Sequence, residues 1–194
     1  MPDTLTKQDQ FLLEEYKSAG ELTFQMDSLR NKITSFFISF AGIAITGLVL
    51  IIKGNDTNIG IQNLNEIIGT IMLLVALIGH LFICVLAKIR KVQIEHFVII
   101  NNIRKHFIGD YDTLKEAVIL SDNTLPNARF WSGSYYWQLS IQIVSSFMLA
   151  TGVLLLSFSI EKLYTLIGVI IFSGTFILSI IVQHILYFSY AKYN

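Results

Sequence analysis

The stretch VALIGHLFICVLAKIR, residues 75–90, sets His80 in an apolar run with Cys84 four residues on, so that both fall on one face of a helix. A histidine in that setting has three uses: a hydrogen bond to another helix, a proton-linked gate, or a metal ligand. Two ligands fall short of the four that a structural zinc site takes, and no third metal-binding residue is placed by spacing. We therefore expect no metal and no cofactor. His184 lies near the end of another apolar run, and Gln138, Gln142 and Ser145 share a helical face in a third. Amides and hydroxyls at that spacing either hydrogen-bond between helices or line a water-filled pore in an oligomer.

Four runs long enough to cross a bilayer as helices carry these residues: 33–52, 67–87, 138–160 and 163–187. None contains Asp, Glu, Lys or Arg. The whole chain agrees, being 53% hydrophobic and 14% charged, with a mean hydropathy of +0.59; soluble domains carry about 25% charged residues. The zero net charge leaves no basic footprint for nucleic acid, and a single cysteine permits no intrachain disulfide. No small-residue cleavage site follows a short apolar core near the start, so the first span is expected to be retained. The fold class expected is all-α: a polytopic membrane protein of four transmembrane helices.

Basic residues orient these spans. Lys7, Lys17, Arg30 and Lys32 precede the first, Lys88, Arg90, Lys91, Arg104, Lys105, Lys115 and Arg129 lie between the second and third, and Lys192 follows the fourth. Only Lys53 and Lys162 fall on the other side. The positive-inside rule then places both termini and the middle segment in the cytoplasm. Trp131, Trp137, Tyr135, Tyr136, Tyr187, Tyr190 and Tyr193 gather at the same face, where amphipathic rings anchor helices at the headgroups.

Segments outside the spans read as helices too. Leu12, Tyr16, Ala19, Leu22, Met26, Leu29 and Ile33 recur at helical spacing, which predicts one long first helix with a bend at Gly20. Ile89, Val92, His96, Ile99 and Ile103 extend the second helix to a glycine stop at Gly109. Tyr16, Met26, Leu29, Ile99 and Ile103 should form a seam between the two extensions. Residues 112–120 suggest a further short helix, and 121–134 a loop. The chain so divides into 1–32, a cytoplasmic amphipathic helix; 33–87, a first hairpin; 88–137, a cytoplasmic layer; 138–187, a second hairpin; and 188–194, a tail.

Each span also carries small or polar residues of the kind that let helix backbones approach. Ser35, Ser39, Gly42 and Thr46 mark the first; Gly69, Ala76, His80 and Ala87 the second. Gly152 joins the Gln138, Gln142, Ser145 stripe in the third, and Gly168, Thr175 and Ser179 lie in the fourth with Gln183 or His184. RKVQIEH, from Arg90 to His96, fits the unspecific pattern of HEPN ribonucleases, an Arg and a His separated by four to six residues; it reads more simply as a basic flank and a seam residue. No catalytic constellation is present, so no enzyme is expected.

The N-terminal stretch LLEEYKSAGELTFQMDSLRNKITSFFISFAG, 12–42, with its Leu-Glu-x-Tyr-Lys opening, Arg30 before the membrane and Phe36-Phe37 leading to Gly42, resembles small bacterial membrane proteins of the RipA-like oligomeric type. It is more loosely similar to the SLATT-type membrane effectors of bacterial conflict systems. The resemblance implies an inner-membrane homo-oligomer and, in the second case, one that perturbs the membrane on a signal of infection. Those families carry two spans, and the hairpin 138–187 departs from that plan. The function expected is a non-enzymatic oligomer in the lipid bilayer that forms or gates a pore. The alternative is a membrane anchor or scaffold that recruits a soluble cytoplasmic partner.

Overall fold

The computed structural model describes residues 6–54, 64–108, 133–157 and 166–191. These form four helices, α1 (Lys7–Gly54), α2 (Leu64–Ile108), α3 (Gly133–Ser157) and α4 (Leu166–Ala191), with no strand among the described residues. All four are long and apolar enough to cross a membrane. The segment 112–120, the loop 121–132 with Trp131, and Tyr193 lie outside the described residues.

α1 starts on a capping box: the Thr6 backbone N–H donates to Asp9 Oδ2 at 3.1 Å, and the Asp9 N–H returns a bond to Thr6 Oγ1 at 3.1 Å. It then runs unbroken through Gly20. At 1.5 Å per residue, its 48 residues reach about 72 Å, more than twice the roughly 30 Å hydrocarbon core. α2, at 45 residues, is nearly as long. Span and extension are thus single helices, and both extensions project from the end that carries most of the basic residues, called here the basic end.

α2 and α3 form the central antiparallel pair, with α1 and α4 packed along it. Glycines set their distance. A Cβ on Gly79 would meet Ser145 Cβ at 2.4 Å and Phe37 Cζ at 2.8 Å, and one on Gly152 would meet the Gly69 carbonyl oxygen at 2.9 Å. Phe37, Val75, Ala76, Ile83, Leu86, Ile141 and Met148 fill the core around those contacts. Phe82 closes it by standing edge-on to Phe37, with ring centroids 5.9 Å apart.

The buried line of α1 passes through Ala19, Arg30, Thr34, Phe37, Ala41 and Leu48. It repeats every eleven residues, from Ala19 to Arg30 to Ala41 and from Met26 to Phe37 to Leu48, which is the period of a nearly straight helix. The apolar stripe read from Leu12 to Ile33 advances by 3.5 residues and drifts off that line. Leu29 consequently sits outside the seam at 44% exposure, with Arg30 in the place expected for it. Ile99 is likewise displaced outward, at 41% exposure, by the buried Ile100. Ile103 is buried, and Tyr16 and Met26 are half-buried in the seam. The same one-residue shift turns Ser35, Ser39, Gly42 and Thr46 out of the protomer: all four are exposed, and a Cβ on Gly42 would meet nothing within 4 Å.

Candidate functional site

Two polar clusters occupy the interior, one in the spans and one just beyond them. The first centres on Gln183 of α4, which is fully buried. Its Nε2 lies 3.1 Å from His80 Nε2, 3.1 Å from Ser146 Oγ and 3.0 Å from Ser179 Oγ, while its Oε1 accepts from Ser145 Oγ at 3.0 Å. His80 Nδ1 is 2.8 Å from the Ala76 carbonyl, an acceptor only, so that nitrogen carries the proton and Nε2 is the lone-pair acceptor. An amide nitrogen has two protons for three neighbours. The Ser146 hydroxyl donates to Ser179 Oγ at 2.9 Å, and the longer 3.5 Å contact from Ser179 to His80 is subordinate. One neutral tautomer therefore satisfies the cluster and ties α2, α3 and α4 together.

Gln138 and Gln142 continue the same α3 face and are 1% and 0% exposed. Helices of the same protomer enclose this stripe. Unlike Gln183, neither has a hydrogen-bond partner: both amide oxygens and both amide nitrogens stand alone among the described residues. His184 makes its ring contacts outside this cluster, at 4.6 Å from the Phe188 ring and at 6.0 Å from that of Tyr135. Gly152 and Gly168 are buried.

The second cluster clasps α1 to α2 at the basic end. Gln93 Oε1 accepts from Arg90 Nη1 at 2.7 Å and from Arg30 Nη1 at 3.5 Å, and Gln93 Nε2 donates to Asp27 Oδ1 at 2.9 Å. The same carboxylate oxygen pairs with Arg30 Nη2 at 2.7 Å. Burial pushes the Arg90 guanidinium below its ordinary pKa; Tyr187 opposes that shift, Arg30 adds to it, and Asp27 opposes it. Tyr187 is therefore an interior residue, 3% exposed, instead of a member of the aromatic belt. Arg90, read from sequence as a basic flank or one half of an R-x-H pair, is committed to Gln93. A buried arginine cannot be told from a flanking one by residue type; the sign available was its spacing with Gln93 at i+3 and with Leu86 and Ile100 on one line.

Further out, Arg104 Nη2 donates to the Tyr16 hydroxyl at 3.0 Å, and its guanidinium lies 5.6 Å from the centre of that ring. Around them a cleft of about 600 Å³ is lined by Tyr16, Glu21, Phe24, Asp27, Phe97 and Arg104, among others. No group of three or more His, Cys, Asp or Glu side chains capable of holding a metal lies together among the described residues.

A family model for the octameric membrane protein family (8xMP) matches residues 13–180. No curated protein and no solved structure matches the chain. The match reaches all four helices, ending within α4, and covers most of the chain, which belongs to that family.

Proposed function

We propose that this member of the octameric membrane protein family is the protomer of a non-enzymatic homo-octamer that forms or gates a pathway across the membrane, with the outer face of α1 turned toward the assembly. The observation that carries this reading is the contrast between the two outer helices. α1 exposes Ser35, Ser39, Gly42 and Thr46 in a continuous row beside apolar Phe36, Ile43 and Leu50, whereas α4 exposes mainly Leu166, Ile167, Val169, Ile170, Ile177, Leu178, Ile181 and Ile185, with Ser173 and Gly174 as the small residues among them. Small residues and hydroxyls bring helices together in lipid or border water; branched aliphatic chains are at home in acyl chains. The Thr46 hydroxyl donates to the Gly42 carbonyl at 2.9 Å, so it is satisfied in either setting.

By the positive-inside rule the basic end, with both termini, faces the cytoplasm of a bacterial inner membrane. The likeness to SLATT-type effectors adds a role as a membrane-perturbing defence effector. Purified protein in liposomes should conduct ions, and Ser39→Leu with Thr46→Leu, which crowds the same row of α1, should abolish conductance together with the oligomer. An absence of conductance across lipid compositions, voltages and pH would end the pore reading.

The cleft favours a second reading, in which the extensions recruit a soluble partner. Phe24, at its rim, is 79% exposed on a segment outside the spans, where an aromatic ring gains from being covered. Phe24→Ala would then remove function without altering conductance or assembly.

A further inference from the structure

We propose that the cleft between the α1 and α2 extensions is filled by the α2 extension of a second copy of this chain, so that the mating face of α1 continues past the membrane. The proposal rests on the reading of α1 as the helix turned toward the assembly, and carries that reading beyond the spans. Its starting point is the row of small residues on α1, which does not stop at the bilayer. Thr46, Ser35 and Phe24 stand eleven residues apart, as do Gly42, Asn31 and Gly20, and Ser39, Ser28 and Lys17. Eleven residues make close to three full turns, so each of these sets points one way. All nine positions are exposed except the half-buried Gly20, where, as at Gly42, an added Cβ would meet nothing within 4 Å. One straight face thus runs from Lys17 to Thr46, about 44 Å at the helical rise.

That face leads into the cleft. Lys17, Gly20 and Phe24 line it from α1, and Phe97, Ile100 and Arg104 from α2. At about 600 Å³ it has room for several side chains. Phe24 stands at its rim, 79% exposed, on a segment that no lipid covers.

The geometry of the long helices selects the occupant. Each of α1 and α2 is a single helix through span and extension. A copy laid along the row in the span therefore carries its own extensions past this cleft, and the membrane holds identical residues of both copies at one depth. Packed helices lie roughly 8–10 Å apart, which leaves no room for a soluble protein between the two. Charge selects the orientation. From Lys7 to Leu29 α1 carries five acids and two lysines, whereas from Lys88 to Ile108 α2 carries five Lys and Arg and one Glu. Pairing α1 with α1 would set like charge against like; pairing α1 with the next copy's α2 sets acid against base. A contact between two different surfaces is the kind that closes identical copies into a ring. Phe24 is then the aromatic anchor of the contact, buried only on assembly.

The test begins with the full chain in its membrane and a photo-reactive benzoylphenylalanine in place of Phe24. Irradiation should give a covalent dimer of the chain, joined to a peptide from residues 88–108 of the second copy. Attachment within the second copy's α1 would overturn the orientation. A product with a different protein, or no product above that of the same probe in place of Ile177 on α4, would overturn the contact. In purified protein, Gly20→Leu and Phe24→Ala should each raise the concentration at which the oligomer falls apart by about tenfold, read by native mass spectrometry. Neither residue supports its own protomer, since Gly20 has open space around its Cα and Phe24 is largely exposed. Gly42→Leu separates this proposal from the reading beneath it. Assembly lost in Gly42→Leu but unchanged in Gly20→Leu and Phe24→Ala would overturn the cleft contact and leave the row in the span standing. Assembly weakened in Gly20→Leu and Phe24→Ala but unchanged in Gly42→Leu would support the cleft contact and overturn the span row.

Discussion

Two rows of small residues run through this molecule and meet opposite fates. Gly69, Gly79 and Gly152 are pressed into the α2–α3 contact, with no room for a single added carbon, while Ser35, Ser39, Gly42 and Thr46 on α1 stand open. In sequence they look alike. A stripe of small residues shows that something comes close, but whether the neighbour belongs to the same copy or to another depends on the register of the whole helix. Here the deciding difference is a period of 11 residues over three turns instead of 7 over two, a shift of one position over six turns.

The largest effect should come from filling the closed row. Gly79→Leu drives a side chain into Ser145 and Phe37, and overpacking of that kind costs about 1–3 kcal/mol or more. Thermal unfolding in detergent should show a clear loss of stability, and an unchanged transition would mean that the α2–α3 contact is looser than described. Next is the clasp beyond the spans. Gln93→Leu strips two arginines and an aspartate of their shared amide, and hydrogen bonds to charged groups are worth about 1.5–3 kcal/mol. Proteolysis within the α1 and α2 extensions should accelerate while the spans stay protected; equal protection would remove the clasp from the α1–α2 seam.

The smallest effect belongs to the exposed start of α1. The hydrogen bond from the Thr6 side chain holds the Asp9 carboxyl below its ordinary pKa, with His106 of α2 contributing from 3.6 Å. A carboxyl depressed in the folded state stabilises fully above its unfolded pKa and loses that contribution as pH falls through the lowered folded value. Hydrogen exchange in the first turns should rise only in that acid window, and Asp9→Asn should raise it at neutral pH. A start of α1 equally protected at all pH values would rule out the cap as its anchor.

Much of the architecture was legible before any coordinates. Uncharged apolar runs give the four spans, and helical spacing in 12–33 and 89–103 gives the long extensions, because period and length are local properties. The polar stripe at Gln138, Gln142 and Ser145 was visible for the same reason, as was His80. What the residues alone left out were pairings across helices. The hub Gln183 was one of two alternatives beside His184, since adjacent residues on a helix point about 100° apart and only the packing of α4 chooses between them. Leu29 and Ile99 drew attention through apolarity, when the seam positions belonged to Arg30, Gln93 and Ile100. A buried arginine paired through an amide contradicts the simple pattern of apolar inside and polar outside. The capping box in Thr6-Lys7-Gln8-Asp9 was readable and was passed over for the apolar stripe beginning at Leu12.

The outer face of α1 as the mating surface of the assembly is tested most directly by the mass of the oligomer in matched variants. Gly42→Leu and Gly174→Leu place the same side chain on α1 and on α4, at glycines that have nothing within 4 Å in the protomer. Each should leave protomer stability within about 0.5 kcal/mol, as surface substitutions do. Native mass spectrometry should then find Gly42→Leu dissociated into smaller species and Gly174→Leu with the wild-type mass. A Gly42→Leu protein that keeps the wild-type mass, above all beside a dissociated Gly174→Leu, would contradict the assignment of α1 to the assembly and of α4 to lipid.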